Sequence, residues 1–179
     1  RWARLPQMAS LSLAVNINAR LLYKDDFVDL IQQILLDTQA NPLRLKLEIT
    51  ESLLLNDKDK AVLHMQALRA MGIRFSIDDF GTGYSSMAYL QQLPLDQLKI
   101  DQSFVRDLPG NTSSLAIVRA ILAMAQSLGL EVIAEGVEDQ VQRQALSDSG
   151  CQHFQGYLFG RPMAVEAFEG AWLPVAESS

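Results

Sequence analysis

The sequence predicts an α/β fold built on a parallel sheet, and three observations carry the prediction. Short β-prone apolar runs alternate along the chain with longer stretches of helical periodicity, the pattern of βαβ units. Three of those helical stretches stop at a glycine that a β-rich run follows at once: Gly72 before residues 73–77, Gly129 before 130–134 and Gly150 before 151–159. Glycine just past a helix takes the left-handed conformation without a Cβ penalty. The C-terminal end of every predicted strand also carries an oxygen ligand, a lysine or an amide, at the edge where parallel α/β folds place their sites. A doubly wound sheet and a (β/α)8 barrel both satisfy this pattern. A barrel normally takes ~250 residues, so the chain falls about two βα units short of one. The expectation is a single domain over residues 1–179 that is incomplete at its N-terminus.

In order, residues 1–6 read as the tail of a helix, and 11–17 as a strand ending at Asn16 and Asn18. Asp25 and Asp26 cap a helix with Phe27, Ile31, Ile34 and Leu35 at helical spacing, closed by Asn41-Pro42. In the strand 43–50, Leu45, Leu47 and Ile49 alternate with Lys46, Glu48 and Thr50. A helix bearing Ala61, Met65 and Leu68 runs to Gly72, and the strand 73–77 follows. Next come a helix over 84–93, a turn at Pro94 and a strand at 98–100. Thr112 or Ser113 caps a long helix to Leu128, and a last helix covers 165–173.

With 49% hydrophobic and 20% charged residues the chain can bury a core. No apolar run reaches the length of a membrane span. A net charge of −6 argues against binding DNA or RNA polymers or anionic membranes through their backbones. Cys151 is the only cysteine, so no intrachain disulfide exists, and it reads as a small buried hydrophobe in a reducing, cytoplasmic setting. His64 falls mid-helix and is expected at the surface, and His153 is expected to pack or hydrogen-bond.

The strand ends give Asn16; Glu48 and Glu51; Asp78 and Asp79; Lys99 and Asp101; Glu135 and Glu138; and Gln155. Each has an ordinary explanation alone: Asp78 and Asp79 suit a turn and an N-cap, Glu51 and Glu138 a first helical turn, Asn16 a turn. Six strands in succession ending this way favour a site. Carboxylates and amides without His or Cys at ligand spacing suit Mg²⁺ or Mn²⁺ rather than zinc. Adjacent Asp78 and Asp79 suit two ions ~4 Å apart, an arrangement for phosphate-ester cleavage. Asp79-Phe80-Gly81 spells a kinase motif, but no glycine-rich phosphate loop or HRD-type loop accompanies it. Gly81-Thr82-Gly83 lacks the third glycine of a dinucleotide fingerprint.

Six stretches together resemble the EAL-type cyclic-di-GMP phosphodiesterases: Ala14-Val15-Asn16, Glu48-Ile49-Thr50-Glu51-Ser52, the segment from Asp78-Asp79-Phe80-Gly81 to Ser86, Leu98-Lys99-Ile100-Asp101, Ala134-Glu135-Gly136-Val137-Glu138, and Gln155-Gly156-Tyr157 through Arg161-Pro162. They follow family order over essentially the whole chain. The resemblance implies a TIM-like (β/α)8 barrel with one antiparallel strand, hydrolysing cyclic-di-GMP to linear pGpG with two Mg²⁺ or Mn²⁺ ions, Ca²⁺ being inhibitory. By motif position Asn16, Glu48, Asp78, Asp79 and Glu135 look like metal ligands, and Lys99, Glu135 and Asp79 like the catalytic set, with Lys99 holding the attacking water. Glu138, Gln155, Asp101, Arg161 and Pro162 look like substrate-binding or supporting residues. Glu51 looks like the anchor of a loop hinged at Gly81 and Gly83, which in the family couples dimerisation to metal binding. The resemblance also implies a homodimer and linked upstream sensor or cyclase-type domains, with tethering to the inner membrane through such a segment allowed. The Glu-Ala-Leu motif is missing from this chain, and Asn18 and Gln102 stand where the family often has Ser and Arg. A non-catalytic cyclic-di-GMP receptor is the alternative reading.

Overall fold

A computed structural model describes residues 8, 10–55, 57–83 and 90–172. The strands are β1 (Leu13–Asn16), β2 (Leu45–Thr50), β3 (Arg74–Phe80), β4 (Gln97–Ile100), β5 (Glu131–Ala134) and β6 (His153–Phe154). The helices are α1 (Ala19–Leu22), α2 (Phe27–Thr38), α3 (Lys58–Ala70), α4 (Gln102–Val105), α5 (Thr112–Leu128), α6 (Gln140–Asp148) and α7 (Val165–Trp172). All six strands lie in one sheet in chain order, every pairing parallel. Right-handed crossovers between strands laid down in one direction put the connecting helices on the same face. Such a one-sided sheet curls into an open arc of a (β/α)8 barrel, six strands where the closed barrel has eight.

Alternation along the strands separates two faces. Leu47, Phe75, Ile77, Leu98 and Ile100 are buried on the helix side. There they pack with Ala61, Met65 and Leu68 of α3 and Val118, Ile121 and Ala125 of α5. The inner face is polar: Lys46, Glu48, Ser76, Asp78, Gln97 and Lys99 occupy the intervening positions. Below the strand ends, Gln97 accepts from Lys46 Nζ at 3.0 Å and from Ser76 Oγ at 3.3 Å, and its amide donates to Glu131 at 3.5 Å.

The strand β3 holds the main irregularity. Ile77 pairs with Leu98 and Phe80 with Ile100, so three steps on β3 match two on β4. Asp78 and Asp79 thus share a bulge opposite Lys99, and Asp79 takes the left-handed conformation at φ 53°. Aspartate tolerates that region better than most residues. The two acids therefore sit inside an extended strand rather than in a turn beyond it.

Several details differ from the sequence reading. The implied antiparallel strand has no counterpart among the described residues. β6 spans two residues instead of 151–159; just beyond it Gly156 passes so close to the segment after β5 that a Cβ would lie 2.2 Å from Val137 O. Asn111, not Thr112 or Ser113, caps α5 by accepting from the Ser113 and Ser114 amides at 3.0 and 3.1 Å. Asp26 begins α2 without a side-chain cap bond. His64 is half-buried, its Nδ1 2.8 Å from Leu22 O and its ring tilted against Phe27. Cys151 is buried, as expected of a small hydrophobe. Most of the helix expected at 84–93 and all of residues 1–6 lie outside the described residues. Among the described residues no helix is long and apolar enough to cross a membrane.

The cap reassignment has a direct check. Asn111→Ala should lower unfolding free energy by about 1 kcal/mol, whereas Thr112→Ala should cost under about 0.5 kcal/mol, both read from urea denaturation.

Candidate active site

Lys99 is only 3% exposed, and a buried ammonium must be paired. The register of β2 to β5 supplies the partners. Its Nζ lies 2.8 Å from Glu48 Oε2, 3.0 Å from Asp78 Oδ1 and 2.7 Å from Glu135 Oε1. Burial would lower its pKa, but the hydrogen bonds to Glu135, Glu48 and Asp78 outweigh that and hold it above the ordinary lysine value. One ammonium cannot neutralise three carboxylates. Burial, reinforced by the charge of Asp78 and opposed by Lys99, pushes Glu135 up to about 7.

Asp79 adds a fourth acid. Burial, the Asp78 charge and a hydrogen bond shared with Asp101 raise its pKa. For Asp101, burial works the other way, yet hydrogen bonds from Ser103 and Asp79 hold it below the usual carboxylate range. Asp101 also caps α4, accepting from Ser103 N at 2.9 Å. Asp78, Asp79 and Glu135 each offer an oxygen, and these lie within 4.8 Å of one another. An under-neutralised set of clustered carboxylates is the donor chemistry of a hard divalent cation, so the residues present fit such an ion. Glu48 joins them through Lys99. Asn16 is exposed at the end of β1, in register with Glu48 on the neighbouring strand.

A second arrangement lies alongside. Glu51, 4% exposed, accepts from Gly81 N at 3.4 Å and Gly83 N at 3.3 Å. A Cβ on Gly83 would lie 2.7 Å from the Glu51 carboxyl carbon. Gly81, at φ 99°, lies against the Phe104 ring. Glycine at both positions is thus needed for the close approach. Residues 84–86 of this loop lie outside the described residues.

A cavity of about 370 Å³ opens over the acids. Asp79, Asp101, Glu135, Glu138 and Gln155 line it together with Gln102, Gly136, Gly156 and Tyr157. Gln155 is fixed by its backbone, donating to Ala134 O at 2.8 Å and accepting from Val137 N at 3.0 Å. Arg161 reaches it indirectly, its guanidinium 4.4 Å from the Tyr157 ring centroid, while Pro162 is exposed and outside the lining. A larger cavity of about 520 Å³, bounded by Arg119, Cys151 and His153, lies at the opposite edge of the sheet, away from the acids. Sequence reasoning did not assign Tyr157, Gly136 or Gly156 to a site, although all three sit inside stretches already singled out. Gln142, behind the Glu138 loop, stands three residues after Asp139, the spacing of a capping box, a signal that marks a helix start rather than a site.

A profile of the EAL domain matches residues 1–162. Cyclic di-GMP phosphodiesterase NbdA of Pseudomonas aeruginosa is 45% identical over 159 residues, covering 89% of this chain and 20% of NbdA. MucR of the same organism, a bifunctional diguanylate cyclase/cyclic di-GMP phosphodiesterase, is 43% identical over 88% of this chain and 23% of its own length. The chain thus spans about a fifth of the length of these curated relatives. A structure of the MucR phosphodiesterase with c-di-GMP superimposes with a TM-score of 0.85 at 42% identity, covering 89% of this chain and 65% of that one. BlrP1 of Klebsiella pneumoniae, solved with cyclic-di-GMP and calcium or manganese, gives a TM-score of 0.78 at 34% identity over 84% of this chain and 39% of its own. The curled parallel sheet, the ring of strand-end acids around Lys99 and these similarities lead to one conclusion: the chain belongs to the EAL domain family.

Proposed function

We propose that this domain is a divalent-metal-dependent phosphodiesterase that hydrolyses cyclic-di-GMP to linear pGpG. The observation that carries the reading is the Lys99 cluster: three carboxylates on one ammonium, a fourth acid beside them, and an open cavity above. Asp78, Asp79 and Glu135, with Glu48 and Asn16 completing the set, would hold Mg²⁺ or Mn²⁺. Such an ion supplies Lewis-acid polarisation of the phosphate and activation of water when bound.

The chain's own groups do the rest. Lys99, fully charged, presents a fixed positive centre to the reacting phosphate and orients the attacking water. It also keeps Glu48, Asp78 and Glu135 within reach of one another. Asp79, whose pKa is raised by burial, the Asp78 charge and its hydrogen bond with Asp101, stands beside Asp101 on the cavity wall. Glu138, Gln155 and Asp101 hold the substrate in the cavity, with Arg161 stacked on Tyr157 and Pro162 at its margin. Glu51 holds the Gly81–Gly83 turn against the strand ends. The similarity of NbdA and MucR supports the substrate assignment, and the Mn²⁺ and Ca²⁺ complexes of BlrP1 support a metal requirement. A homodimer, linked signalling domains and a cytoplasmic location complete the proposal.

In the full-length protein, cyclic-di-GMP with Mg²⁺ or Mn²⁺ should give pGpG, followed by chromatography. Lys99→Ala or Asp78→Ala should cut turnover by about 10²–10³-fold, and Ca²⁺ should permit binding without turnover. Tight binding with no product under Mn²⁺ would instead assign a receptor. Glu51→Ala should lower kcat/KM and speed amide exchange at Gly81 and Gly83; unchanged kinetics and exchange would remove its anchoring role.

The acid cluster also makes stability depend on pH. Glu135 titrates near 7 when folded against 4.5 for a free glutamate, so between those values the folded state keeps a proton that the unfolded chain has lost. Its contribution therefore falls as pH rises through that window. In metal-free protein, Glu135→Gln should flatten the decline in urea midpoint between pH 5 and 7.5.

A further inference from the structure

Two segments form the facing walls of the cavity. One follows β4 and carries Asp101 and Gln102; the other follows β5 and carries Glu135, Gly136 and Glu138. They touch directly, since a Cβ on Gly136 would lie 2.5 Å from Gln102 Cβ. Behind them sits Gln142, in the first turn of α6 and only 6% exposed. Its Oε1 accepts from Glu138 N at 2.7 Å and from Asp139 N at 3.3 Å. Its Nε2 donates to Arg106 O at 3.1 Å, at the end of α4. Asp139 returns a bond to Gln142 N at 2.8 Å, closing a capping box.

A capping box alone would need only an acceptor at this position, and glutamate serves as well as glutamine. The bond to Arg106 O needs a donor as well. Among side chains of this length the neutral amide alone supplies both at once, whereas a carboxylate would set an acceptor against the Arg106 carbonyl, which also accepts. Gln142 therefore couples the two walls through three main-chain groups from the side away from the cavity. We infer that Gln142 is a positioning residue for substrate: it sets the spacing of the wall bearing Asp101 and Gln102 against the wall bearing Glu138. This rests on the phosphodiesterase reading for its substrate, not for its geometry. The Lys99 cluster is held independently, because Glu135 N donates to Ile100 O at 3.1 Å within the extension of the sheet. Loss of Gln142 is thus expressed in binding rather than in the chemical step.

Two variants of the full-length protein separate the contributions. Gln142→Glu keeps the acceptor and loses the donor; Gln142→Met loses both at similar volume. KM for cyclic-di-GMP should rise about fivefold in the first and more in the second, each lost bond being a factor of roughly that size, while kcat stays within about twofold. Without substrate, amide exchange at Glu138 and Asp139 should quicken in Gln142→Met and stay near wild type in Gln142→Glu. Unchanged KM, a kcat loss tracking a loss of thermal stability, or unchanged exchange in Gln142→Met would overturn the inference. If Gln142→Met does not fold, the KM and kcat of Gln142→Glu decide it. If the wild-type protein does not turn over cyclic-di-GMP, the phosphodiesterase reading fails by itself, and the exchange measurements still decide whether Gln142 couples the walls.

Discussion

A buried ammonium surrounded by more negative charge than it can balance is the constraint on which the rest of this structure depends. Lys99 reaches Glu48, Asp78 and Glu135 from three different strands, so its position ties β2, β3, β4 and the end of β5 together. Removing Lys99 would leave three neighbouring carboxylates without their common counter-charge, which is costly. The excess of carboxylate also makes the site receptive to a further cation, so one arrangement serves both the packing of the strand ends and the chemistry above them.

That cluster is possible because the sheet has two unlike faces. The helix side buries aliphatic and aromatic residues from every central strand, and α3 and α5 seal it. The inner side is free to carry Lys46, Ser76 and Gln97 in a hydrogen-bonded layer beneath Lys99. Polar residues at such depth persist only when satisfied, and here each finds a partner on a neighbouring strand. The strands follow chain order across the sheet, which brings the acids at their ends into one arc.

Much of this was readable in the sequence. Residues carrying chemistry stand at the strand ends, and period-2 alternation in the strand 43–50 set Glu48 apart from Leu47 and Ile49. The helix-ending glycines at Gly72, Gly129 and Gly150 marked where strands begin, and all three are in the left-handed region. What was not readable depends on contacts between distant segments. The close approach of Gly156 to Val137 just past β6 joins segments far apart in the chain, and the cap at Asn111 follows from competition among three adjacent residues that can all cap. The burial of His64 follows from the α1 carbonyl it meets, and Gln142 acquires a role only once Arg106 is beside it. None of these leaves a periodic trace.

The bulge in β3 has a wider consequence. In a regular strand neighbouring side chains point to opposite faces, so each strand can lend a site one group for every two residues. By inserting one residue at Asp79 the chain rephases the strand within the site, and two carboxylates in succession serve the same side. Ligand density at the rim is thereby decoupled from the number of strands, and an open six-stranded arc assembles a denser acidic surface than its strand count alone would provide.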